Sequence, residues 1–468
     1  MKIARLQAER VHGYLPIDVE FFDDLTFLTG LNGSGKTSAL RLLMALLTPS
    51  LDELGSIEFG SAIVTAVDGD EEIVVRADKT TDGVTLAVSP ISEPLTMSSS
   101  EMELYVDMRR REEARSPILE KYQQHPVFAR IRSVSTPMFL GLDRRFFPPG
   151  AVSDDANDAR RRDYLARRYW HEDPQTRSNG ISALVEINYL VVTRLQEIRA
   201  AQELLDERLR AQFFTKAFEY KPSDLFGAAP TGLPSRKQID TYRGQLLKIG
   251  RAAEGLRIPV PEIQSAMTGF FERMTKVVDA LDKSRESPPS NKRTKKKGAE
   301  SSAFDFRSEY LEWIVNKPQA DRILEHLQLL HQYIESRDAL RDPISRFLEL
   351  VNGFFEQTSK VVELASAGQL TVKRRLHNET RPISALSSGE RQLLVMLGHL
   401  SLNPHLAGSG VFIVDEPELS LHIDWQEKFV DAIREANPKV QLILATHSPA
   451  IILDRVDNCR TLAEVPRD

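Results

Sequence analysis

Gly30-Leu31-Asn32-Gly33-Ser34-Gly35-Lys36-Thr37 is the stretch of this chain that decides its fold. It matches the pattern G-x-x-x-x-G-K-[ST] and lies between an apolar, β-prone run at 25–29 and a segment at 38–47 with helical apolar spacing. Glycines at these positions let backbone N–H groups wrap phosphate groups, and the N-terminus of the following helix adds positive potential. The stretch predicts a loop that binds ATP. Its expected binding residues are Asn32, Gly33, Ser34, Gly35, Lys36, Thr37 and Ser38.

Two carboxylates follow an apolar run at 411–414, which predicts that they lie at the C-terminal end of a buried strand. Ligands of open α/β sheets sit at that end. We expect Asp415 to bind Mg²⁺ together with the Thr37 hydroxyl, and Glu416 to act as the general base on an attacking water. Lys36 is expected to reach the β- and γ-phosphates.

Two further motifs flank the two acids along the chain, one before them and one after. Ser388, Gly389 and Glu390 form a turn before a helix-like segment, which fits either an anion site or a simple helix N-cap. His447 follows an apolar run at 440–444 and is placed either to contact a γ-phosphate or to serve a structural purpose. A role in nucleotide binding is expected of both motifs only because the phosphate loop and the two acids are present in the same chain.

Length and composition limit the class of protein. A chain of 468 residues exceeds one compact core, so about two or three units are expected. No apolar run reaches the roughly 20 residues of a membrane helix, and the N-terminus does not resemble a signal peptide. The single cysteine, Cys459, excludes an intramolecular disulfide framework. We therefore expect a cytoplasmic protein with no membrane partner.

Periodicity divides the chain into three expected segments. Residues 1–150 form an N-terminal lobe with an antiparallel meander at 56–90, and residues 369–468 form a C-terminal lobe with short parallel strands. Residues 151–368 form a helical insertion with helices at 181–220 and 321–355. The predicted fold class is α/β, with mixed sheets and flanking helices, plus this α-helical insertion.

Heptad spacing in the insertion fits either a short coiled coil or two packed amphipathic helices. The spaced residues are Leu184, Val191, Ile198 and Leu205 in the first helix, and Ile323, Leu330, Ile344 and Val351 in the second. A basic segment at about 284–303 and an arginine cluster at 160–168 fit either contacts with nucleic-acid phosphates or solvated and ion-paired surfaces. The first is expected to be a mobile loop.

The order of the four motifs resembles the ABC ATPase superfamily, in its soluble branch with the SMC, RecF and zinc-hook repair proteins. That resemblance implies a P-loop, ABC-type ATPase head that works as a homodimer or higher homo-oligomer. Ser388, Gly389 and Glu390 of one copy would then cover the ATP held at Lys36 of another, and His447 would sense the γ-phosphate. The glutamine that this family places between loop and signature is not assigned.

Within that branch, Glu416-Pro417-Glu418 and the segment 445–449 resemble the overcoming-lysogenisation-defect (OLD) type of ATPase. The chain ends about twenty residues after His447, too soon for the TOPRIM nuclease domain of that family. It is therefore similar to stand-alone ATPase subunits of anti-phage systems, of the PARIS type and next of the Septu type. This implies a separate effector, a TOPRIM or HNH nuclease, and a DNA or phage-protein trigger. A RecF-like DNA-repair ATPase and a non-hydrolysing scaffold are the alternatives, and Glu416 argues against the scaffold.

Overall fold

A computed structural model describes most of the chain. It covers residues 1–49, 51–110, 122, 124–134, 137–140, 146–147, 179–218, isolated positions between 237 and 277, 299–366, 368–375, 379–406 and 410–462. The chain forms two compact units, which we call the head unit (1–195 with 343–468) and the helical unit (196–342). Among the described helices, none has the length and apolar character needed to cross a membrane.

The strands of the described residues belong to the head unit. In chain order they are β1 (Lys2–Val11), β2 (Leu15–Glu20), β3 (Leu25–Thr29), β4 (Ser61–Asp68), β5 (Glu71–Thr80), β6 (Gly83–Val88), β7 (Leu95–Ser98), β8 (Met138–Leu140), β9 (Phe146–Phe147), β10 (Lys360–Leu364), β11 (Leu370–Arg374), β12 (Thr380–Pro382), β13 (Gly410–Asp415), β14 (Val440–Ala445) and β15 (Cys459–Thr461).

The helices differ widely in length. They are α1 (Lys36–Leu47), α2 (Leu51–Ser56), α3 (Ser99–Arg110), α4 (Pro126–Ser133), α5 (Asn179–Phe218), α6 (Ala299–Phe355), α7 (Ser388–Leu402), α8 (Ile423–Ala436) and α9 (Pro449–Ile452). Both α5 and α6 begin or end in the head unit and continue into the helical unit.

Three sheets build the head unit. The first is antiparallel, with strand order β2-β1-β4-β5-β6-β7, and contains the predicted meander at 56–90 as β4, β5 and β6. The second has the order β15-β3-β14-β13-β8-β9 and is parallel except for its last pair. The third is a small antiparallel sheet of β10, β11 and β12. The predicted α/β fold with mixed sheets and flanking helices is confirmed.

Helix α1 lies between the two large sheets, because it contacts β1, β4 and β5 of one and β13 and β14 of the other. Every apolar residue of this helix, from Ala39 to Leu47, is buried, as expected of a helix covered on both sides. Strands β13 and β14 are buried along their whole length, which fits central strands of a parallel sheet. The phosphate loop therefore stands at the start of the central helix of the core.

The predicted helical insertion is present, but its boundaries differ from those expected. The second helix starts at Ala299 rather than near 321, so residues 299–303 are helical and not part of a loop. Gly298 is the last strong helix-breaking residue before this start, and Ala299-Glu300 favours helix. The expected boundary at 368 falls inside the β10–β11 hairpin, where backbone pairing holds both strands in the head unit. The segment 148–178, with the arginine cluster, and residues 281–298 lie outside the described residues.

In the helical unit, α5 and α6 run antiparallel. The Tyr333 hydroxyl donates a hydrogen bond of 2.6 Å to Asp206, and Phe213 stacks on His326 with ring centroids 4.7 Å apart. Burial and the Asp206 carboxylate raise the pKa of Tyr333. These contacts fit both a short coiled coil and a simple helical pair.

Candidate functional site

The candidate site lies where three neighbouring parallel strands end. Strand register pairs Leu28 of β3 with Ala445 of β14, and Ala445 with Asp415 of β13. The loops that follow these strands therefore leave the sheet at one level, at its carboxyl edge. In open α/β sheets this edge is where ligands bind.

The phosphate loop owes its path to three glycines with positive φ. Gly30, Gly33 and Gly35 have φ values of 144°, 85° and 90°. The φ of Gly35 favours glycine, and a Cβ atom there would also lie 2.4 Å from the terminal Cδ2 of Leu15, so the Leu15 side chain would have to move. The exposed turn at Asn32 and Gly33 presents backbone that can approach a ligand closely.

Lys36 is the first residue of α1, and its side chain folds back over the loop. Its Nζ donates to the carbonyl oxygens of Gly30 at 3.1 Å and Leu31 at 3.2 Å. Burial lowers the pKa of Lys36, and nearby Glu416 and Asp415 oppose that shift. A buried cation facing two acids at a helix N-terminus is suited to binding phosphate.

Asp415, the last residue of β13, is a buried carboxylate. Neither of its oxygens has a hydrogen-bond partner of normal geometry within the described part of the chain. Burial raises its pKa to about 6, and the charge of Glu416 acts in the same direction, whereas the Thr37 hydroxyl and Lys36 lower it. An unsatisfied buried carboxylate beside a threonine hydroxyl fits a Mg²⁺ site, because Mg²⁺ prefers a few such oxygens together with phosphate oxygens and water.

Glu416 has a left-handed backbone conformation, with φ 46° and ψ 62°, which is uncommon for a non-glycine residue. Its backbone N–H donates to the Ala445 carbonyl at 2.8 Å, which fixes this turn against β14. The side chain is only half-buried. Such strain often accompanies functional positions, and here the turn brings the Glu416 carboxylate close enough to Lys36 to influence its pKa.

His447 stands in the loop after β14, with its side chain exposed. Its backbone N–H donates to the Glu418 carboxylate at 2.8 Å, and the Thr446 hydroxyl lies 2.9 Å from both oxygens of that carboxylate. Glu418 therefore links the loop after β13 to the loop after β14.

The Ser-Gly turn is a helix N-cap with a full capping box. The Ser387 hydroxyl accepts from the Glu390 N–H, and the Glu390 carboxylate accepts from the Ser387 N–H at 2.7 Å. Ser388 is exposed and Gly389 is buried. The N-cap alternative is therefore present in the structure, and it leaves Ser388 facing outward.

Glu390, an expected nucleotide contact, has its carboxylate engaged within the turn, and its contact with nucleotide stays a prediction. It is buried, and both carboxylate oxygens bind the Lys360 ammonium at 2.7 and 2.8 Å. Burial alone would raise its pKa, but Lys360 and the Ser387 N–H outweigh burial and lower it. The carboxylate therefore stabilises the turn through Lys360 and the Ser387 N–H.

The expected binding residue Ser38 is in contact with the tip of the β1–β2 hairpin. The His12 Nε2 atom lies 2.8 Å from the Ser38 hydroxyl. His12 and Arg10 both have φ of 54°, so the hairpin tip that packs on the first turn of α1 is strained. Ser38 is thus a structural neighbour of the loop as well as a candidate ligand contact.

The structure brings Lys36, Thr37, Asp415 and Glu416 together, as their mutual effects on pKa show. Sequence reasoning assigned no role to Glu418, although the repeated acid in Glu-Pro-Glu was a usable signal. It also missed Lys360, for which no sequence signal exists because its partner lies thirty residues away. The fold and this site define a P-loop nucleotide-binding α/β domain.

Comparison with protein families agrees with that class. Residues 270–454 match the profile of the family AAA_21, described as "AAA domain, putative AbiEii toxin, Type IV TA system". The match begins in the helical unit and includes the Ser-Gly turn, the two acids and His447.

Two curated proteins are similar to parts of the chain. The "Retron Vc95 probable ATPase" of Vibrio cholerae is 27% identical over 183 residues, which cover 32% of this chain and 36% of that protein. The "Retron Ec83 probable ATPase" of Escherichia coli is 30% identical over 84 residues, or 16% of each chain. The chain therefore matches only about a third or less of these relatives' length.

Among solved structures, Smc head domains are similar in extent but only distantly. The head with an extended coiled coil from Pyrococcus furiosus, bound to the C-terminal domain of ScpA, aligns over 98% of this chain and 93% of its own, at 11% identity and TM-score 0.37. The Smc head from Pyrococcus yayanosii, with a coiled coil and joint, aligns over 98% of this chain and 94% of its own, at 12% identity and TM-score 0.35. These TM-scores are too low to support a fold assignment, so the α/β class rests on the strand order and the loop geometry described above.

Proposed function

We propose that this chain is an ATP-hydrolysing switch subunit of a bacterial anti-phage defence complex. ATP held at Lys36 of one copy is covered by Ser388 and Gly389 of a second copy, and hydrolysis loosens the pair. A separate effector, a TOPRIM or HNH nuclease, is controlled by that state, and DNA or a phage protein is the trigger. The observation that most supports the proposal is the common sheet edge shared by the phosphate loop, the two acids and His447.

The chain's own residues suit the hydrolytic step. Lys36 compensates the charge of the β- and γ-phosphates, while Thr37 and Asp415 would hold Mg²⁺, which neutralises developing phosphate charge. Glu416 is half-buried and can accept a proton from the water that attacks the γ-phosphate. His447 is exposed at the same edge, where its ring can reach the transferred phosphate.

A site completed by a second copy fits the exposure of Ser388. Ser388 projects from a rigid capping box at the N-terminus of α7, a position that favours anions. Because each nucleotide would contact both copies, ATP stabilises the pair and the products do not. Ligand binding then shifts a two-state equilibrium.

Similarity to two proteins named as retron ATPases supports both the ATPase activity and the defence setting. The order of motifs supports pairing through the heads. The effector assignment rests on resemblance alone, and co-purification with the product of the adjacent gene tests it. We expect Glu416→Gln with ATP to retain that product, and a RecF-like DNA ATPase to retain none.

Complementation between two inactive variants tests the shared site most sharply. Lys36→Ala removes the phosphate cation, and Ser388→Arg fills the exposed turn while leaving the loop of its own copy intact. Each variant alone should be inactive. A one-to-one mixture should recover about a quarter of wild-type turnover, because half of the pairs are mixed and each mixed pair has one intact site of two.

The same experiment has a clear contrary outcome. If Ser388→Arg alone hydrolyses ATP at the wild-type rate, or if the exchanged mixture stays inactive, the site is not shared between copies. Lys36→Ala with Lys36→Arg is the matched control pair. Both defects there lie in the same loop, so no mixture restores an intact site.

A further inference from the structure

Glu418 joins the loop after β13 to the side chain of Thr446 in the loop after β14. Its two carboxylate oxygens each lie 2.9 Å from the Thr446 hydroxyl, and one of them accepts the His447 N–H at 2.8 Å. Thr446 is buried, whereas the His447 side chain is exposed. The carboxylate thus binds the backbone of a residue whose side chain is free to face the site.

A second layer of hydrogen bonds supports the first. The Gln426 amide of α8 donates to the Leu421 carbonyl at 2.9 Å, and it accepts from the Ser448 hydroxyl at 2.7 Å. Ser448 N–H also donates to the Thr446 hydroxyl at 3.0 Å. The two loops are therefore joined on both sides of His447.

The chemistry of Glu418 favours a positional role. It follows Glu416 by two residues, at the 3-10 turn Pro417–Ser420, and its charge raises the pKa of Asp415. Three carboxylates close together repel one another, so a third acid here costs electrostatic free energy. The Thr446 hydroxyl and the His447 N–H are the compensating contacts, because charge-assisted hydrogen bonds are strong.

We propose that Glu418 is a positioning residue that sets His447 relative to Glu416. It touches no reacting atom: it acts through the Thr446 hydroxyl and the His447 backbone. A movement of the acidic loop then moves the histidine with it, so the two groups engage the γ-phosphate together. This inference rests on the proposed ATPase function.

The test uses the full-length protein with Glu418→Ala, Glu418→Gln and Thr446→Val. Glu427→Gln, an exposed acid of α8, is the matched control. Three quantities are measured: amide hydrogen exchange of residues 446–448 without nucleotide, affinity for a fluorescent ADP analogue, and kcat with KM for ATP.

We expect Glu418→Ala and Thr446→Val to exchange faster at 446–448 and to lower kcat by about 10- to 100-fold, because small misplacements at a site have effects of that size. KM and ADP affinity should change by less than about threefold, since the phosphate loop is untouched. Glu418→Gln keeps an acceptor oxygen and should recover part of the loss.

Two results would overturn the inference. One is unchanged exchange at 446–448 in Glu418→Ala. The other is faster exchange with kcat and KM both at wild-type values, which would leave Glu418 a structural role only. Failure of the proposed function looks different: wild type itself would not hydrolyse ATP, and the exchange of Glu418→Ala would still show whether the carboxylate holds the loop.

Discussion

Replacing the buried acid of the site by its amide should stabilise the protein while abolishing its nucleotide response. Asp415 is 3% exposed, and its oxygens lack hydrogen-bond partners of normal geometry among the described residues. Burial raises its pKa from the ordinary 3.8 to about 6. A carboxyl group with a raised pKa in the folded state opposes folding once it is charged. Asp415→Asn removes that penalty.

The size of the effect follows from the shift. A pKa shift of about two units corresponds to a loss of about 3 kcal/mol in the free energy of unfolding at pH values above 6, at about 1.4 kcal/mol per pKa unit. A buried amide without full partners costs about 1 to 2 kcal/mol in return. We therefore expect Asp415→Asn to be more stable than wild type by about 1 to 2 kcal/mol at pH 8.

The pH dependence has a fixed sign. The folded state binds the Asp415 proton more tightly than the unfolded state does, so wild type loses stability as pH rises from about 4 to 6. The advantage of Asp415→Asn should therefore be present above pH 6, vanish near about pH 5, and reverse at about pH 4, where only the cost of the buried amide is left.

Urea unfolding without nucleotide, followed by tryptophan fluorescence, to which the buried Trp425 contributes, measures this difference. With Mg-ADP at about 100 times its Kd, wild type should gain about 3 kcal/mol and Asp415→Asn much less. Glu416→Gln is the matched control, since that carboxylate is half-buried and its removal should change stability little. A variant less stable than wild type at pH 8, or an advantage that is constant with pH, would refute the reasoning.

Three further predictions concern the scaffold of the site. Lys360→Met leaves Glu390 buried without its cation and should destabilise the head unit by about 3 kcal/mol, with Glu390→Gln in the same chain recovering part of the loss in urea unfolding. Gly35→Ala forces a side chain into a left-handed position 2.4 Å from Leu15, so ADP binding measured by calorimetry should weaken at least about tenfold. Gln441→Leu removes hydrogen bonds to the N–H and carbonyl of Ile3 in β1 and to the carbonyl of Phe22 after β2, and it should lower the thermal midpoint, with loss of about 2 to 3 kcal/mol.

Much of the site was predictable because its chemistry is local in sequence. The glycine spacing at 30–35 fixes a loop whose shape depends on positive φ, and apolar runs at 411–414 and 440–444 identify central parallel strands. Parallel pairing then forces their carboxyl ends to one edge. The positions of Lys36 and Asp415 follow from these facts without tertiary detail.

The parts that sequence did not predict depend on long-range contacts. Glu390 matched a ligand-contact pattern, but a lysine on a distant strand turns its carboxylate inward. The extent of α6 was underestimated because heptad spacing describes a packed seam and not the length of a helix. Glu418 was visible as an acid, yet its bonds to the next loop depend on strand register.

ATP turnover by wild type and Glu416→Gln tests the central claim most directly, provided that both bind a fluorescent ATP analogue equally well. The geometry predicts equal binding and a fall in the hydrolysis rate of at least about 100-fold in Glu416→Gln, the usual loss for a general base. Wild-type turnover by Glu416→Gln would contradict the assignment of Glu416, and equal ATP binding by Lys36→Ala would contradict the site itself.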